Sequence, residues 1–135
     1  MMFNKVEYRN LNSKQKENYN FHKLAAVLAD YGYSSMWLND DWQGADFIAN
    51  HINGETFLRV QLKGRLTIDK KYCEKDIHIA FRDDNDWYFY PHDELMNKLL
   101  ENSFMAGCAS WDDKGWYSWP SIPKKIKDII SIYKL

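Results

Sequence analysis

From Glu17 to Asp30 the apolar residues Phe21, Leu24, Ala25, Val27 and Leu28, with Tyr31 just beyond, recur at three- and four-residue steps. Such a stripe predicts one helix with a single buried face, and Gly32 is its expected stop. Beyond Gly32 the period shortens. Met36 to Leu38 predicts a short extended run ahead of an acidic loop, Asn39-Asp40-Asp41. Ala45 to Ile52 and Glu55 to about Gly64 predict two strands joined at Asn53-Gly54, a dipeptide suited to the positive φ of a type I′ turn. DIHIAFR and DWYFY predict two more strands meeting at Asp83-Asp84-Asn85. PHDELMNKLLE predicts a helix with Pro91 near its start and Leu95, Met96, Leu99 and Leu100 on its apolar face. KKIKDIISIYKL predicts a last short helix, with Ile126, Ile129, Ile130 and Tyr133 on one side.

Residues 1–15 are polar and aperiodic and predict a mobile or loosely docked arm. RLTIDKKYCEK and the Trp-rich AGCASWDDKGWYSWPSIP follow neither period. No repeat or long linker divides residues 1–135, which predicts a single domain. The expected fold class is α/β: a mixed or mostly antiparallel sheet of about four or five strands. The N-terminal helix should pack on that sheet, and the other helices should lie C-terminal.

The hairpin makes a sharper prediction. With Asn53-Gly54 as a two-residue loop, opposed residues have numbers summing to 107, so Asp46 faces Gln61. Side chains alternate along a strand, so Gln61 and Lys63 share the face of Asp46. Phe47, Ala49, Leu58, Val60 and Leu62 fall on the other face, where the first helix should pack. Asp, Gln and Lys placed together on a sheet face are costly unless they meet water or a ligand.

Composition narrows the readings little. A hydrophobic fraction of 45% supports a packed core, and 16% aromatic residues leave rings over for stacking. The net charge of −1 rules out a chain-wide basic surface, so any polyanion contact must come from a local patch. Arg59, Lys63, Arg65, Lys70, Lys71 and Lys75 form one around the hairpin. Cys73 and Cys108 fit no metal spacing and read as free thiols of a reducing compartment. No stretch reads as a signal peptide or membrane span, so a cytoplasmic location with no membrane partner is expected. No P-loop or dinucleotide glycine pattern is present, so no nucleotide cofactor is expected.

GADFIA and VQLKGR, on adjacent strands after a helix, resemble the two motifs of the PD-(D/E)xK, or restriction-endonuclease-like, nuclease superfamily. They are most similar to its Mrr-type and Holliday-junction-resolvase branch. The resemblance covers residues 17–65. It implies a metal-dependent endonuclease that hydrolyses DNA phosphodiester bonds, with Mg²⁺ or Mn²⁺ as cofactor. Asp46 would be the metal ligand and Gln61 a secondary ligand in the place of an acid. Lys63 would act on the attacking water or the scissile phosphate, and Asp41 would be a further ligand candidate. Arg59, Arg65, Lys70 and Lys71 would hold DNA, and a homodimer or protein partner would supply specificity. The alternative is a catalytically inactive nuclease-like domain that binds nucleic acid or protein. A second carboxylate beside Asp46, from Asp40, Asp41 or Glu17, would favour the enzyme.

Other residues carry plainer readings. His92, beside Asp93 and Glu94, reads as a helix-start cluster, and His51 as a packing residue near the hairpin turn. His78, opposite Ile77, Ile79 and Phe81, reads as a surface or partner contact. The tryptophans from Trp111 to Trp119 read as a loop tucked over the core.

Overall fold

The computed structural model describes residues 1–135 apart from the side chain of Asp41. A capping box starts the first helix: Asn12 Oδ1 accepts from Gln15 N at 2.8 Å, and Gln15 Oε1 accepts from Asn12 N at 2.9 Å. This satisfies two helix-end donors and sets the start of α1 (Ser13–Ala29) earlier than the apolar stripe does. The arm ahead of it is docked from Tyr8 onward, through a 3₁₀ turn (Tyr8–Asn10) whose Tyr8 ring meets Tyr19 at 5.3 Å. Gly32, at φ +85°, turns the chain out of the helix as expected.

β1 (Tyr33–Trp42) runs straight through the predicted acidic loop, with a register irregularity between Trp37 and Trp42. It turns into β2 (Ala45–His51) across Gln43 and Gly44, at φ +53° and +86°. That pair, between the partners Trp42 and Ala45, has the two positive φ values of a type I′ connection. The predicted type I′ site is different. Asn53 keeps a negative φ, and its side-chain oxygen accepts from Glu55 N at 2.8 Å and Thr56 N at 2.9 Å, an Asx turn. His51 N donates to Thr56 O at 2.9 Å, so residues 52–55 form the loop before β3 (Phe57–Leu62). The longer loop is symmetric about the same point. Phe47↔Val60 and Ala49↔Leu58 therefore keep the predicted register.

β4 (Leu66–Asp69) and a 3₁₀ turn (Lys70–Tyr72) carry the chain from β3 to β5 (Ile77–Asp83), which pairs parallel with β3. β6 (Asp86–Pro91), α2 (His92–Glu101), β7 (Trp116–Trp119) and α3 (Lys124–Ile130) follow. The mixed five-stranded sheet has the order β1-β2-β3-β5-β6, antiparallel except at β3–β5. β4 and β7 form a separate antiparallel pair, which places the tryptophan-rich tail over the core. No helix among the described residues is long and apolar enough to cross a membrane.

Two cores flank the sheet. On one face Phe21, Leu24 and Leu28 of α1 meet Phe47, Ala49, Val60, Ala80 and Trp87. On the other, Ile77, Ile79 and Phe81 meet β4, β7, α2 and α3 through Leu66, Ile68, Leu95, Leu99, Trp119, Ile126 and Ile130. The alternation along β5 feeds both cores. His78 is half-buried and stacked on Phe89 with centroids 5.0 Å apart, rather than set out as a surface contact. Its Nδ1 is buried without a partner, and burial lowers its pKa.

Tyr90 ties the small β4–β7 pair to the main sheet. Fully buried, its hydroxyl donates to Thr67 O at 2.6 Å and accepts from Thr67 N at 3.3 Å. Tyr90→Phe leaves those Thr67 groups without their buried partner and is expected to cost about 1–3 kcal/mol. Urea unfolding of the two proteins measures this, and a change below about 0.5 kcal/mol would contradict the tie.

Candidate functional site

The β2–β3 ladder ends at Phe47↔Val60. One residue further Asp46 turns its carboxylate across the gap, and Oδ2 accepts from Leu62 N at 2.8 Å. A side chain thus takes the place of a ladder carbonyl, and the strands part without leaving the Leu62 N–H unpaired. On the other edge of β3, Lys63 N donates to Ala80 O at 2.9 Å. β3 is held from both sides where it presents Gln61 and Lys63.

The three residues do converge. Asp46, Gln61 and Lys63 line one hollow of ≈ 350 Å³ with Gly44, Lys71, Tyr72 and Lys75. Gln61 Nε2 donates to Leu62 O at 3.2 Å, so its Oε1 is the atom left to act as a ligand. Tyr72 forms the floor, with Lys63 Nζ 5.3 Å and Lys71 Nζ 5.1 Å from its ring centroid. Burial raises the Tyr72 pKa despite the opposing pull of Lys71, so the phenol stays neutral. The floor also explains Gly44. A Cβ there would stand 3.0 Å from the Tyr72 ring, on top of the strain of φ +86°.

Two adjoining hollows complete the setting. Asp46 also borders a space of ≈ 170 Å³ with Glu17, Asp40 and Lys14. Glu17 and Lys63 both border a third, of ≈ 400 Å³, between α1 and the end of β3. The three hollows therefore close a ring through Asp46, Glu17 and Lys63. The parting of the strands, the start of α1 and the irregular end of β1 produce it together. Glu17 and Asp40, two of the carboxylates sought beside Asp46, line this space with it, but the three do not bring their ligand atoms within 4.8 Å of one another. The side chain of Asp41 lies outside the described residues.

The predicted basic residues divide. Lys71 is in the Asp46 hollow. Arg59, on β3, donates to Lys75 O at 3.1 Å and lies over Trp42 at 5.6 Å. Lys70 lies over Trp111 at 4.7 Å, away from the trio. Arg65 lines a separate hollow of ≈ 190 Å³ with Arg82 and Lys127. Lys75, also of the predicted patch, lines the Asp46 hollow with Lys71, and Arg82 joins this surface through folding alone.

A second cluster lies elsewhere. Cys73, His92 and Asp93 bring one ligand-type atom each within 4.8 Å. Both ring nitrogens of His92 are engaged: Nε2 accepts from Asp69 N at 3.1 Å, and Nδ1 meets Asp93 Oδ1 at 2.8 Å. His92 is 1% exposed and links β4 to the start of α2. Burial lowers its pKa more than the Asp93 carboxylate raises it. His51 packs edge-on against Tyr33 at 4.9 Å, in the role expected of it.

No family model matches the chain, and no curated protein matches it. Among solved structures it is similar to Archaeoglobus fulgidus Hjc, a Holliday junction resolvase from an archaeal hyperthermophile. The two are 17% identical with a TM-score of 0.43, over 55% of this chain and 76% of that one.

His92 and His78 both have folded pKa values below their ordinary 6.5. The unfolded chain takes up protons there that the folded chain refuses, so stability is full above pH 6.5 and falls as the pH drops through that value. Urea midpoints across this range are expected to fall on acidification, with a shallower slope in His92→Gln. Equal slopes would show that His92 is not the proton acceptor.

Proposed function

We propose that the protein is a metal-dependent endonuclease that hydrolyses DNA phosphodiester bonds at the ring around Asp46, Glu17 and Lys63. One observation carries the reading. A carboxylate, an amide oxygen and a lysine share a single hollow, although only strand register links them in the sequence. Their match to the two motifs of the PD-(D/E)xK superfamily supports the same reading.

The donors around Asp46 are oxygens: its own carboxylate, Gln61 Oε1, and Glu17 and Asp40 across the adjoining space. Hard oxygen donors with room left for water suit Mg²⁺ or Mn²⁺. Such an ion, when bound, supplies Lewis acidity at a phosphate oxygen. Asp46 and Gln61 would hold it, and Glu17 would add the charge that Gln61 lacks relative to an acid. Lys63, in the same hollow, orients the attacking water or offsets charge at the scissile phosphate. Lys71 and Lys75 extend the positive side of the hollow and position the DNA backbone.

Calorimetry is the direct test. Mn²⁺ is expected to bind with a micromolar to millimolar dissociation constant in the wild type and not in Asp46→Ala. Lys63→Ala should keep the metal and lose roughly 10²- to 10³-fold in the rate of DNA cleavage. A wild type that binds no metal, even with a DNA oligonucleotide present, would overturn the enzyme and leave a recognition domain.

A further inference from the structure

The third hollow of the ring is built differently from the other two. Its walls bring together an aromatic ring, a guanidinium and an amide: Tyr8, Arg82 and Asn20, with Lys63 and Trp87 beside them. The guanidinium of Arg82 sits among three rings, 6.0 Å from the centroid of Tyr8, 5.8 Å from Tyr19 and 5.6 Å from Trp87. None of the ion pairs among the described residues involves Arg82. The rings hold a planar cation in place without neutralising it, an arrangement suited to phosphate. Tyr8 is 38% exposed, and Asn20 Nδ2 fixes its orientation by donating to Tyr8 Oη at 3.0 Å.

We infer that this hollow receives one unpaired nucleotide of the DNA, with its base against Tyr8 and its phosphate at Arg82. The inference rests on the nuclease reading and narrows its substrate to DNA carrying a single-stranded segment. Three features support it. The space, ≈ 400 Å³, is of the order that small-ligand sites occupy. Lys63 belongs to both this hollow and that of Asp46, so a strand whose scissile phosphate meets Lys63 has its neighbouring nucleotide here. Asp84 on the rim is an acceptor for the amino and imino edge of a base, groups that a paired base keeps occupied. A base inside a duplex would have to leave its stack to reach Tyr8. Stacking on an aromatic ring is tolerant of sequence, so the hollow selects strand structure over base identity.

The test uses Asp46→Asn protein without metal, so that neither turnover nor ion binding enters. The probe is a short single strand carrying 2-aminopurine, compared with the same strand annealed to its complement. The single strand is expected to bind with quenching of its fluorescence, and the blunt duplex to bind more weakly without quenching. Tyr8→Ala should weaken single-strand binding about tenfold and abolish the quenching, whereas Tyr8→Phe should retain both. Equal binding of single strand and duplex would overturn the inference. So would unchanged affinity in Tyr8→Ala, or an equal loss in Tyr8→Phe, which would mean that the hydroxyl docks the arm. Failure here alongside Asp46-dependent cleavage would remove the nucleotide hollow and leave the nuclease. Quenching without any Mn²⁺ binding by the wild type would remove the nuclease instead.

Discussion

The bond from Leu62 N–H to Asp46 Oδ2 decides the shape of this region. A ladder that simply continued past Phe47↔Val60 would close β2 against β3 and leave no hollow. A ladder that simply stopped would leave a strand N–H facing a partly buried gap, at a cost of about 1–3 kcal/mol. The carboxylate resolves both at once. It satisfies the donor from a side chain's distance and so keeps the strands apart at the point where Gln61 and Lys63 emerge. The acid oriented by that bond is also the acid at the centre of the ring of hollows. Scaffold and site therefore share one contact.

The site's position follows from how the two faces of the sheet are covered. α1 lies across one face. The other is covered over β5 by β4, β7, α2 and α3, while further along it Met36 is 57% and Phe57 60% exposed. Asp46, Gln61 and Lys63 lie where that cover ends. Tyr72, the last residue of the β3–β5 crossover's 3₁₀ turn, marks the border: its ring is buried and yet floors the open hollow. Charged groups are tolerated there because one side remains in water while the other is held by backbone bonds. The glycine at position 44 is the cost of that closeness, since no larger residue fits against the ring.

How much of this was legible in the sequence depends on the range of the interaction. Period and alternation identified α1, β2, β3, β5, β6, α2 and α3, and the parity of the strands assigned their faces. The register was right although the turn was not. The Asx turn at Asn53 and the imagined type I′ turn share one centre of symmetry, and pairing depends only on that centre. Gln43-Gly44, the actual two-residue connection, lacks an Asn or Asp first residue and went unread beside a more familiar dipeptide. The run Asn39 to Asp41 looked like a loop because acids disfavour strands, yet β1 carries through it, as the irregular stretch between the β2 partners of Trp37 and Trp42. The β4–β7 pair was not legible at all. Its partners are some 50 residues apart, Leu66 with Trp119, and neither segment alternates cleanly. Of the site, the trio came from register alone. Glu17 needed the helix to be placed over the strands, and Arg82 needed the far side of β5.

Charge ties these observations together. A chain of net charge −1 has no general attraction for a polyanion, so any such binding would have to come from how the cations are arranged. Lys71, Lys75 and Lys63 line the hollow of Asp46, Lys63 and Arg82 the next, and Arg82, Arg65 and Lys127 a further one. Each hollow passes a cation to its neighbour, which makes a continuous track across the end of the sheet. Acids interrupt it at the ring, where Asp46, Glu17 and Asp40 line one space, and at its outer end, where Asp83 pairs with Lys127 at 3.8 Å. A phosphate backbone drawn along that track would meet local repulsion at those carboxylates unless a cation stands between them. On the proposed reading, an amide at Gln61 where the resembled motif has an acid has a physical rationale. It leaves Asp46 as the one carboxylate lining that hollow, and with Glu17 and Asp40 on the adjoining space this eases repulsion without removing an oxygen donor.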